Sequence, residues 1–486
     1  MLLGLDLGTS SVKALLLDEG GATVAEAGAA YSVARPQPGW AETHPDRWWE
    51  AVVTAVHALP RELVAAVRGI GLSGQMHGVV LCNDAGDPVR AAILWLDTRS
   101  AANLARYPEG AAQITGNAIS AGMTGPVLLW LERNEPGALR AARWAMQPKD
   151  WLALRLTGEA ATDPSDASGT LLADRDGQWA DALIAVLGIR RSLLAPPVPS
   201  SHAVAGLSAA AAHALGLPIG VPVAAGAGDT LAAALGSGLL EESAAQLAIG
   251  SSAQVVILRD AWPGFSPRLN VYRSANPDGL PRWCLMAAML NGGAALEWAR
   301  AALQLTWDEA FARAFADGTA ASDVVFLPYL TGERTPWMDP HLRAGWMGAS
   351  ATDDAGSLMR AAFTGVAFGI RAGLDALRAQ GAAPTRLRLA GGGTVHPGWR
   401  QLLADALCLP LDAVSCPNAA ARGAALLGGL AAGAIAPADL PALAPSLTPA
   451  AEPHGDDALE ARYARFLDLR ARLADWFTPR SAPAAP

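Results

Sequence analysis

A carboxylate stands next to a turn of small hydroxyl residues near the start of the chain. The sequence GLDLGTSS places Asp6 in an apolar run and continues through Gly8, Thr9 and Ser10. Backbone N–H groups and hydroxyls in such a turn form a concave donor site that suits phosphate oxygens. A carboxylate beside polyphosphate is repelled unless a cation separates them, so the pattern predicts Mg²⁺ at Asp6. The alternative is a tight hairpin in which Asp6 and Thr9 only satisfy the turn backbone.

A similar turn recurs far downstream in QLAIGSSAQVVIL, where Gly250 and Ser251 separate two apolar runs. Two copies of one device indicate a duplicated domain. Two facing turns could hold one phosphate chain from both sides, and this favours the phosphate interpretation of the first turn. The two copies would then form one site only where the two halves of the chain meet.

Asp229 is the candidate base. It follows Gly226 and Gly228 in GAGDTLAAALGSG and is expected at the N-cap of a helix, where the helix dipole favours the ionised carboxylate. An ionised carboxylate at a helix start can accept the proton of an attacking hydroxyl. The alternative is an ordinary helix cap.

Two glycine-flanked segments are candidates for ligand contact. His77, in SGQMHG, lies in a loop where its ring can contact a ligand hydroxyl, although a lone His is more often structural. The glycines Gly391 to Gly393, in LAGGGTVHPGW, allow the backbone to approach a nucleotide at a helix N-terminus. The chain has no G-x-x-x-x-G-K-[ST] loop, and no G-x-G-x-x-G opens a helix after a strand. The sequence therefore predicts neither a P-loop nor a Rossmann nucleotide site.

Strands and Ala-rich helices must hold these residues in place. Residues 2–7, 12–17 and a run from Thr23 predict an antiparallel meander. A length of 486 residues favours two large domains. The formal charge of −9, without a long basic run, argues against nucleic acid and anionic membranes and leaves small molecules and proteins as partners.

The cysteines and the apolar runs indicate where the protein works. Four scattered cysteines lack C-x-x-C spacing, and the N-terminus has no signal-peptide pattern, so we expect a reducing cytoplasm. The longest apolar stretch, residues 423–436, is too short to span a bilayer and predicts a buried helix.

Five segments together resemble the FGGY carbohydrate kinase family. GLDLGTSSVKALLLDEGG is similar to its first phosphate motif, GAGDTLAAALGSG to its catalytic segment and LAIGSSAQV to its second phosphate motif. FLPYLTGERTPWMDPHLRAGWMG is similar to the interdomain signature, and LAGGGTVHPGWRQLLADAL to the adenosine motif. The resemblance runs over almost the whole chain. It implies an α/β fold with two ribonuclease-H-like (actin-like ATPase) domains around a central cleft.

The resemblance also implies a division of labour along the chain. Residues 1–241 would form a sugar-binding domain, residues 242–440 a nucleotide-binding domain, and residues 441–486 a Pro/Ala-rich tail with one terminal helix. ATP and Mg²⁺ are the implied cofactors, a ketose or polyol is the implied substrate, and a homodimer is possible.

Within the family, GLSGQMHGVVLCNDAGDPVRAAILWLDTRS and PGWAETHPDRWW are most similar to the xylulokinases. Met76 and His77 would then contact the ketose, Asp229 would be the base and Asp6 would lie by the metal. The cofactor-binding residues implied by the motifs are Asp6, Thr9, Ser10, Gly250, Ser251, Gly391 and Gly392.

We therefore expect D-xylulose to be converted to D-xylulose 5-phosphate. A kinase for ribulose or erythritol and a non-catalytic actin-like ATPase are the alternatives. Four residues depart from the usual family pattern, and the first two of them are expected to lie close to the sugar site: Leu96, Thr230, Val127 and Thr364.

Overall fold

The computed structural model describes residues 1–316 and 322–477. The final segment TPRSAPAAP, whose Pro/Ala-rich composition predicts disorder, lies outside them. The strands of the described residues are β1 Leu2–Leu7, β2 Ser11–Leu17, β3 Thr23–Ala30, β4 Glu42–Thr43, β5 Gly69–Gly74, β6 Val80–Cys82, β7 Ala92–Ile93, β8 Trp144–Met146, β9 Ala203–Gly206, β10 Pro222–Ala224, β11 Ala227–Gly228, β12 Ala245–Ile249, β13 Ala253–Arg259, β14 Asn270–Arg273, β15 Trp283–Met289, β16 Val325–Leu327, β17 Gly345–Met347, β18 Leu387–Ala390, β19 Leu411–Val414 and β20 Leu447–Ala451.

The α-helices of the same residues are α1 Pro45–His57, α2 Arg61–Val64, α3 Ala111–Thr115, α4 Thr124–Asn134, α5 Pro136–Ala141, α6 Pro148–Thr157, α7 Pro164–Ala167, α8 Asp181–Leu187, α9 Ala209–Leu215, α10 Asp229–Gly236, α11 Gly293–Ala302, α12 Trp307–Ala314, α13 Ala355–Ala379, α14 Pro397–Leu407, α15 Ala419–Ala431, α16 Leu440–Leu443, α17 Asp457–Arg472 and α18 Ala474–Phe477. Within this part of the chain, no helix is both long and apolar enough to cross a bilayer.

Two mixed sheets of seven strands carry the structure. The first has the order β3-β2-β1-β5-β10-β9, with β11 also paired to β5, and the second has the order β14-β15-β13-β12-β18-β19-β20. Each begins with an antiparallel meander, continues through parallel strands and ends on an antiparallel strand. The predicted meander is confirmed, and the shared order of pairings supports the predicted duplication.

Each sheet has its own apolar core. In the first half, helices α1 and α6 cover the sheet. The rings of Trp48 and Trp151 meet edge to face, with their centroids 6.0 Å apart. In the second half, the long helix α13 packs on β13 and β15 together with α11, α12 and α14. Helix α17, which precedes the short helix α18, adds Tyr463 and Phe466 to this core. The predicted buried helix near residue 423 is α15, whose residues from Ala421 to Gly429 are buried.

Helix α15 lies in sequence between β19 and β20 of the second sheet but packs on β1 and β5 of the first sheet and on α10. Glycines permit this contact. A Cβ added to Gly4 would lie 1.8 Å from the carbonyl oxygen of Ala421, and one added to Gly71 would lie 1.7 Å from that of Ala424. The backbones of helix and strands are therefore in direct contact, which no larger residue at these strand positions would allow.

We expect Gly71→Ala to destabilise the protein strongly, because the new methyl group meets backbone atoms that no rotamer change can move. The expected loss is about 3 kcal/mol or more, which corresponds to roughly 6 °C or more in the midpoint of thermal unfolding.

Gly137→Ala is the matched control, since Gly137 lies in α5 with no atom within 4 Å of an added Cβ. Alanine is the better helix former, so the midpoint should stay unchanged or rise slightly. Equal midpoints for the two variants would contradict the close packing of α15 on the sheet.

Candidate active site

A cavity of about 180 Å³ lies between the two halves of the chain. The first half supplies to its wall Thr9, Met76, His77, Trp95, Asp229 and Thr230. The second half supplies Gln254, Arg268, Asn270, Tyr272, Met286 and Arg334. Of the predicted site residues, four line this cavity: Thr9, Met76, His77 and Asp229.

Asp6 lies one residue before the end of β1, in register with Ser73 of the parallel strand β5. The hydroxyl of Ser73 donates a hydrogen bond of 2.9 Å to Asp6 Oδ1. Burial raises the pKa of Asp6, while the Ser73 hydrogen bond and the charge of Lys13 act in the opposite direction. Lys13 pairs with Asp6 across β1 and β2, and its side chain is exposed.

The turn after β1 is held by side chains from three other segments. The indole of Trp95 donates to Thr9 Oγ1 at 3.0 Å, and Gln75 donates to the carbonyl of Gly8 at 3.2 Å. Tyr31 also donates to that carbonyl. Thr9 reaches the cavity wall, whereas Ser10 is exposed and does not line the cavity.

The sequence predicted that Asp229 is the N-cap of a helix. In the structure, Asp229 is instead the first residue of α10. Gly228 holds the cap position because its backbone is still extended, at the end of β11. The Asp229 carboxylate accepts hydrogen bonds from its neighbour Thr230, from the backbone N–H at 2.6 Å and from the hydroxyl at 3.2 Å.

Burial has the largest effect on the ionisation of Asp229. Burial and, to a smaller extent, the charge of Asp6 raise the pKa, the two bonds from Thr230 lower it, and the resulting pKa is about 6. The expected stabilisation of the ionised form by the helix dipole is thus outweighed by desolvation. A carboxylate with a pKa near neutrality is suited to accept a proton.

His77 is held in one tautomer next to Met76. Its Nδ1 lies 2.7 Å from the carbonyl of Gly169, so Nδ1 carries the proton and Nε2 is left as an acceptor. Burial lowers the pKa of His77, the bond to Gly169 raises it and the charge of Arg334 lowers it, and the resulting pKa is about 4. His77 is therefore neutral near pH 7. Met76 packs so closely on Gly228 that a Cβ there would lie 2.7 Å from Met76 Cγ.

The second turn and the glycine triplet meet at a separate surface depression. It is lined by Gly250, Ser251, Gly293, Ala294, Glu297, Trp298, Ala301 and Gly393. Gly391 has a φ of 92°, and a Cβ on it would lie 2.7 Å from the carbonyl oxygen of Ile249. The prediction that these glycines lie at a helix N-terminus is wrong. Residues 392–394 form a 3₁₀ turn, and α14 begins only at Pro397.

The four departures from the usual pattern occupy different environments. Thr230 lines the cavity and donates to Asp229. Leu96 was expected near the sugar, but it packs against the core of the first sheet and does not line the cavity. Val127 is a residue of α4 and is buried in the apolar cluster on which this helix packs. Thr364 donates to the carbonyl of Arg360 within α13.

The second half of the chain supplies a wall that the sequence did not reveal. Arg334 lies in the GERTP segment quoted above as a signature, but no spacing pointed to that residue. Asn270 and Tyr272 belong to the edge strand β14, which carries no motif. Their approach to Asp229 depends on how the two halves pack, which local pattern does not report.

Side chains of the first half bind the backbone of β14. Asn117 is fully buried; its Oδ1 accepts from the N–H of Val271 at 3.0 Å, and its Nδ2 donates to the carbonyl of Val271 at 2.7 Å. The hydroxyl of Ser168 accepts from the N–H of Arg273 at 3.1 Å. These three bonds join the two sides of the cavity.

Comparison with known proteins gives a consistent picture. The model of the N-terminal domain of the FGGY family of carbohydrate kinases matches residues 1–236, and that of the C-terminal domain matches residues 260–432. Xylulose kinase of Escherichia coli K12 is 37% identical over 422 residues, which cover 85% of this chain and 86% of the relative.

Two solved structures match almost the whole chain. The crystal structure of "a xyloylose kinase" from Brucella ovis has a TM-score of 0.91 and 36% identity and covers 98% of this chain and 99% of that one. Xylulose kinase from Rhodospirillum rubrum has a TM-score of 0.90 and 28% identity and covers 98% of this chain and all of that one. The predicted fold of two actin-like ATPase domains is confirmed.

Proposed function

The chain belongs to the FGGY family of carbohydrate kinases, and from this premise we propose that it phosphorylates the terminal primary hydroxyl of D-xylulose with ATP. One observation carries the proposal. A single cavity contains Asp229, a carboxylate with a pKa near neutrality, together with Thr9 of the first phosphate turn and the neutral imidazole of His77. Base, phosphate turn and hydroxyl-binding group are what phosphoryl transfer to a sugar requires.

The residues of this site divide the reaction between them. Met76 and His77 bind and orient the ketose, with Nε2 of His77 accepting a hydrogen bond from a sugar hydroxyl. Asp229 takes the proton of the attacking hydroxyl as its oxygen bonds to the γ-phosphorus of ATP and the bond to the β-phosphate oxygen breaks. The turns at Thr9 and Ser10 and at Gly250 and Ser251 hold the phosphates. Gly391 and Gly392 allow the backbone to approach the nucleotide.

The choice of D-xylulose rests on the relatives. Those compared above at 37% and 28% identity are named xylulose kinases. Other sugars should also be tested, because Thr230 departs from the usual family pattern and its hydroxyl donates to the proposed base, Asp229. A non-catalytic actin-like ATPase is disfavoured, since a protein of that class needs no base in a cavity.

Mg²⁺ fits this site through Asp6. In the described part of the chain no cluster of three or more His, Cys, Asp or Glu could hold a metal. Mg²⁺ bound to nucleotide needs only one or two carboxylates besides phosphate oxygens and water. The buried carboxylate of Asp6 meets that need, and the ion would neutralise charge on the transferred phosphoryl group.

Location and assembly remain predictions. All four cysteines are free, which supports the expected cytoplasmic location. The possible homodimer and the domain limits at residues 241 and 440 also stay predictions.

A coupled assay of ADP release tests the proposed function. With ATP and Mg²⁺, we expect D-xylulose to give the highest kcat/KM in a panel with D-ribulose, erythritol, glycerol and D-gluconate. Asp229→Asn keeps the shape of the side chain and removes the base, so kcat should fall by about two to four powers of ten. A higher kcat/KM with another member of the panel would reassign the substrate. Near-normal turnover by Asp229→Asn would overturn the base.

The pH profile of kcat/KM should show an acid limb with a midpoint near pH 6. Asp229 works in its ionised form and its pKa is raised to about 6, so activity is full above that pH and falls about tenfold per unit below it. His77, with a pKa of about 4, stays neutral over this range. Enzyme returned to pH 7.5 after each incubation controls for unfolding. A flat profile down to pH 5 would contradict the assignment.

We expect Asp6→Asn to raise the Mg²⁺ concentration needed for half-maximal activity roughly tenfold or more, because the charge that attracts the ion is lost. The KM for D-xylulose should change little. Glu19→Gln is the control, since Glu19 is exposed and pairs only with Arg68 among its described contacts. An unchanged Mg²⁺ titration in Asp6→Asn would show that Asp6 is only a turn residue.

A further inference from the structure

A group of buried charges lies behind the catalytic turn and has no part in the mechanism above. Lys149 is fully buried, and its Nζ lies 2.5 Å from Asp150 Oδ1, 2.9 Å from Asp163 Oδ1 and 3.4 Å from Asp166 Oδ2. Burial lowers the pKa of Lys149, but the three carboxylates outweigh this and raise it, so the ammonium stays charged. Burying four ionisable groups is costly, and stability alone explains such a group poorly.

Asp163 connects the ammonium to two neighbouring segments. Its Oδ2 accepts from the backbone N–H of Ser165 at 2.9 Å and from the hydroxyl of Ser200 at 2.6 Å, and its Oδ1 accepts from the N–H of Asp166 at 3.3 Å. Lys149 thereby holds a carboxylate that caps α7 and fixes Ser200.

Both segments in turn hold the residues that precede Asp229. The hydroxyl of Ser165 accepts from the backbone N–H of Gly228 at 3.1 Å. The carbonyl of Ser200 accepts from the N–H of Gly226 at 3.0 Å. These two bonds fix the strand-to-helix turn on both sides of Ala227. Asp229 is among the charges that raise the pKa of Asp166, so the group is also electrostatically close to the base.

We propose that Lys149, Asp163, Ser165 and Ser200 are positioning residues for phosphoryl transfer, which set the direction of the Asp229 carboxylate through the backbone of Gly226 and Gly228. None of the four lines the cavity. They act on the orientation of the base and leave the sugar contacts of Met76 and His77 in place. The inference rests on the proposed function.

Ser165→Ala is the direct test, because it removes the acceptor of the Gly228 N–H and leaves every cavity residue unchanged. We expect kcat to fall about 10- to 100-fold, the size of effect that a misplaced catalytic group produces. The KM for D-xylulose should stay within about twofold, and Ser165→Thr, which keeps the hydroxyl, should recover most of the activity.

Ser357→Ala is the matched control. Ser357 is another buried serine, in the capping box of α13 in the second half of the chain, so its loss should lower the unfolding midpoint and leave kcat unchanged. Ser200→Ala is the second variant, should Ser165→Ala not fold. It breaks the link to Asp163 and keeps the carbonyl that binds Gly226, so kcat should fall about 3- to 10-fold at constant KM.

The outcomes separate the two proposals. Absence of turnover by the unaltered protein with every sugar of the panel would refute the proposed function. Turnover by the unaltered protein with unchanged kcat in Ser165→Ala, or in Ser200→Ala where the first variant does not fold, would refute the positioning role alone. A fall in kcat that Ser165→Thr does not reverse, or a matching rise in KM, would also overturn the positioning role. A selective, reversible fall in kcat supports it.

Discussion

Direct backbone contact between α15 and the first sheet fixes the rest of the arrangement. The helix leaves the second sheet after β19, and it crosses to the strands that carry Asp6 and Ser73. Glycines on both partners bring the two backbones together; a Cβ on Gly423 would lie 1.9 Å from the carbonyl oxygen of Ala232 in α10. The same helix therefore touches β1, which carries Asp6, and α10, which carries Asp229.

A buried arginine strengthens this contact. Arg422 of α15 donates to the carbonyl of Gly236 at 3.0 Å, to that of Gly21 at 2.9 Å and to that of Leu443 at 2.6 Å. The three acceptors come from α10, from the hairpin after β2 and from the segment before β20. A rigid fork of N–H donors suits such separated carbonyls better than a single ammonium would. The relative position of Asp6 and Asp229 follows from backbone packing more than from bonds between the two residues.

The sequence predicted the parts of this molecule that depend on local pattern. The two meanders follow from short β-type runs around glycine turns, and Asp229 follows from its glycines and the helix behind it. The same local argument failed where tertiary structure decides: the cap belongs to Gly228, and burial outweighs the helix dipole at Asp229. Arg334 reaches the cavity from the second half of the chain, and Ser165 bonds to Gly228, which lies 63 residues further on. No local spacing could predict these contacts.

The bonds between Asn117 and Val271 constrain how the two halves can move. Both polar groups of the amide are used, and they bind the free edge of the second sheet as a neighbouring strand would. Breaking them would leave a buried amide and a buried backbone unpaired, which is unfavourable. Asn270 and Tyr272, on either side of Val271, are thus tied to the half that carries His77. A rotation that opens the cavity on this side must break these bonds, whereas the depression at Gly250 and Gly393 lies wholly within the second half and need not change with it. The side of the cleft proposed to bind the sugar is consequently more constrained than the depression at Gly250 and Gly393.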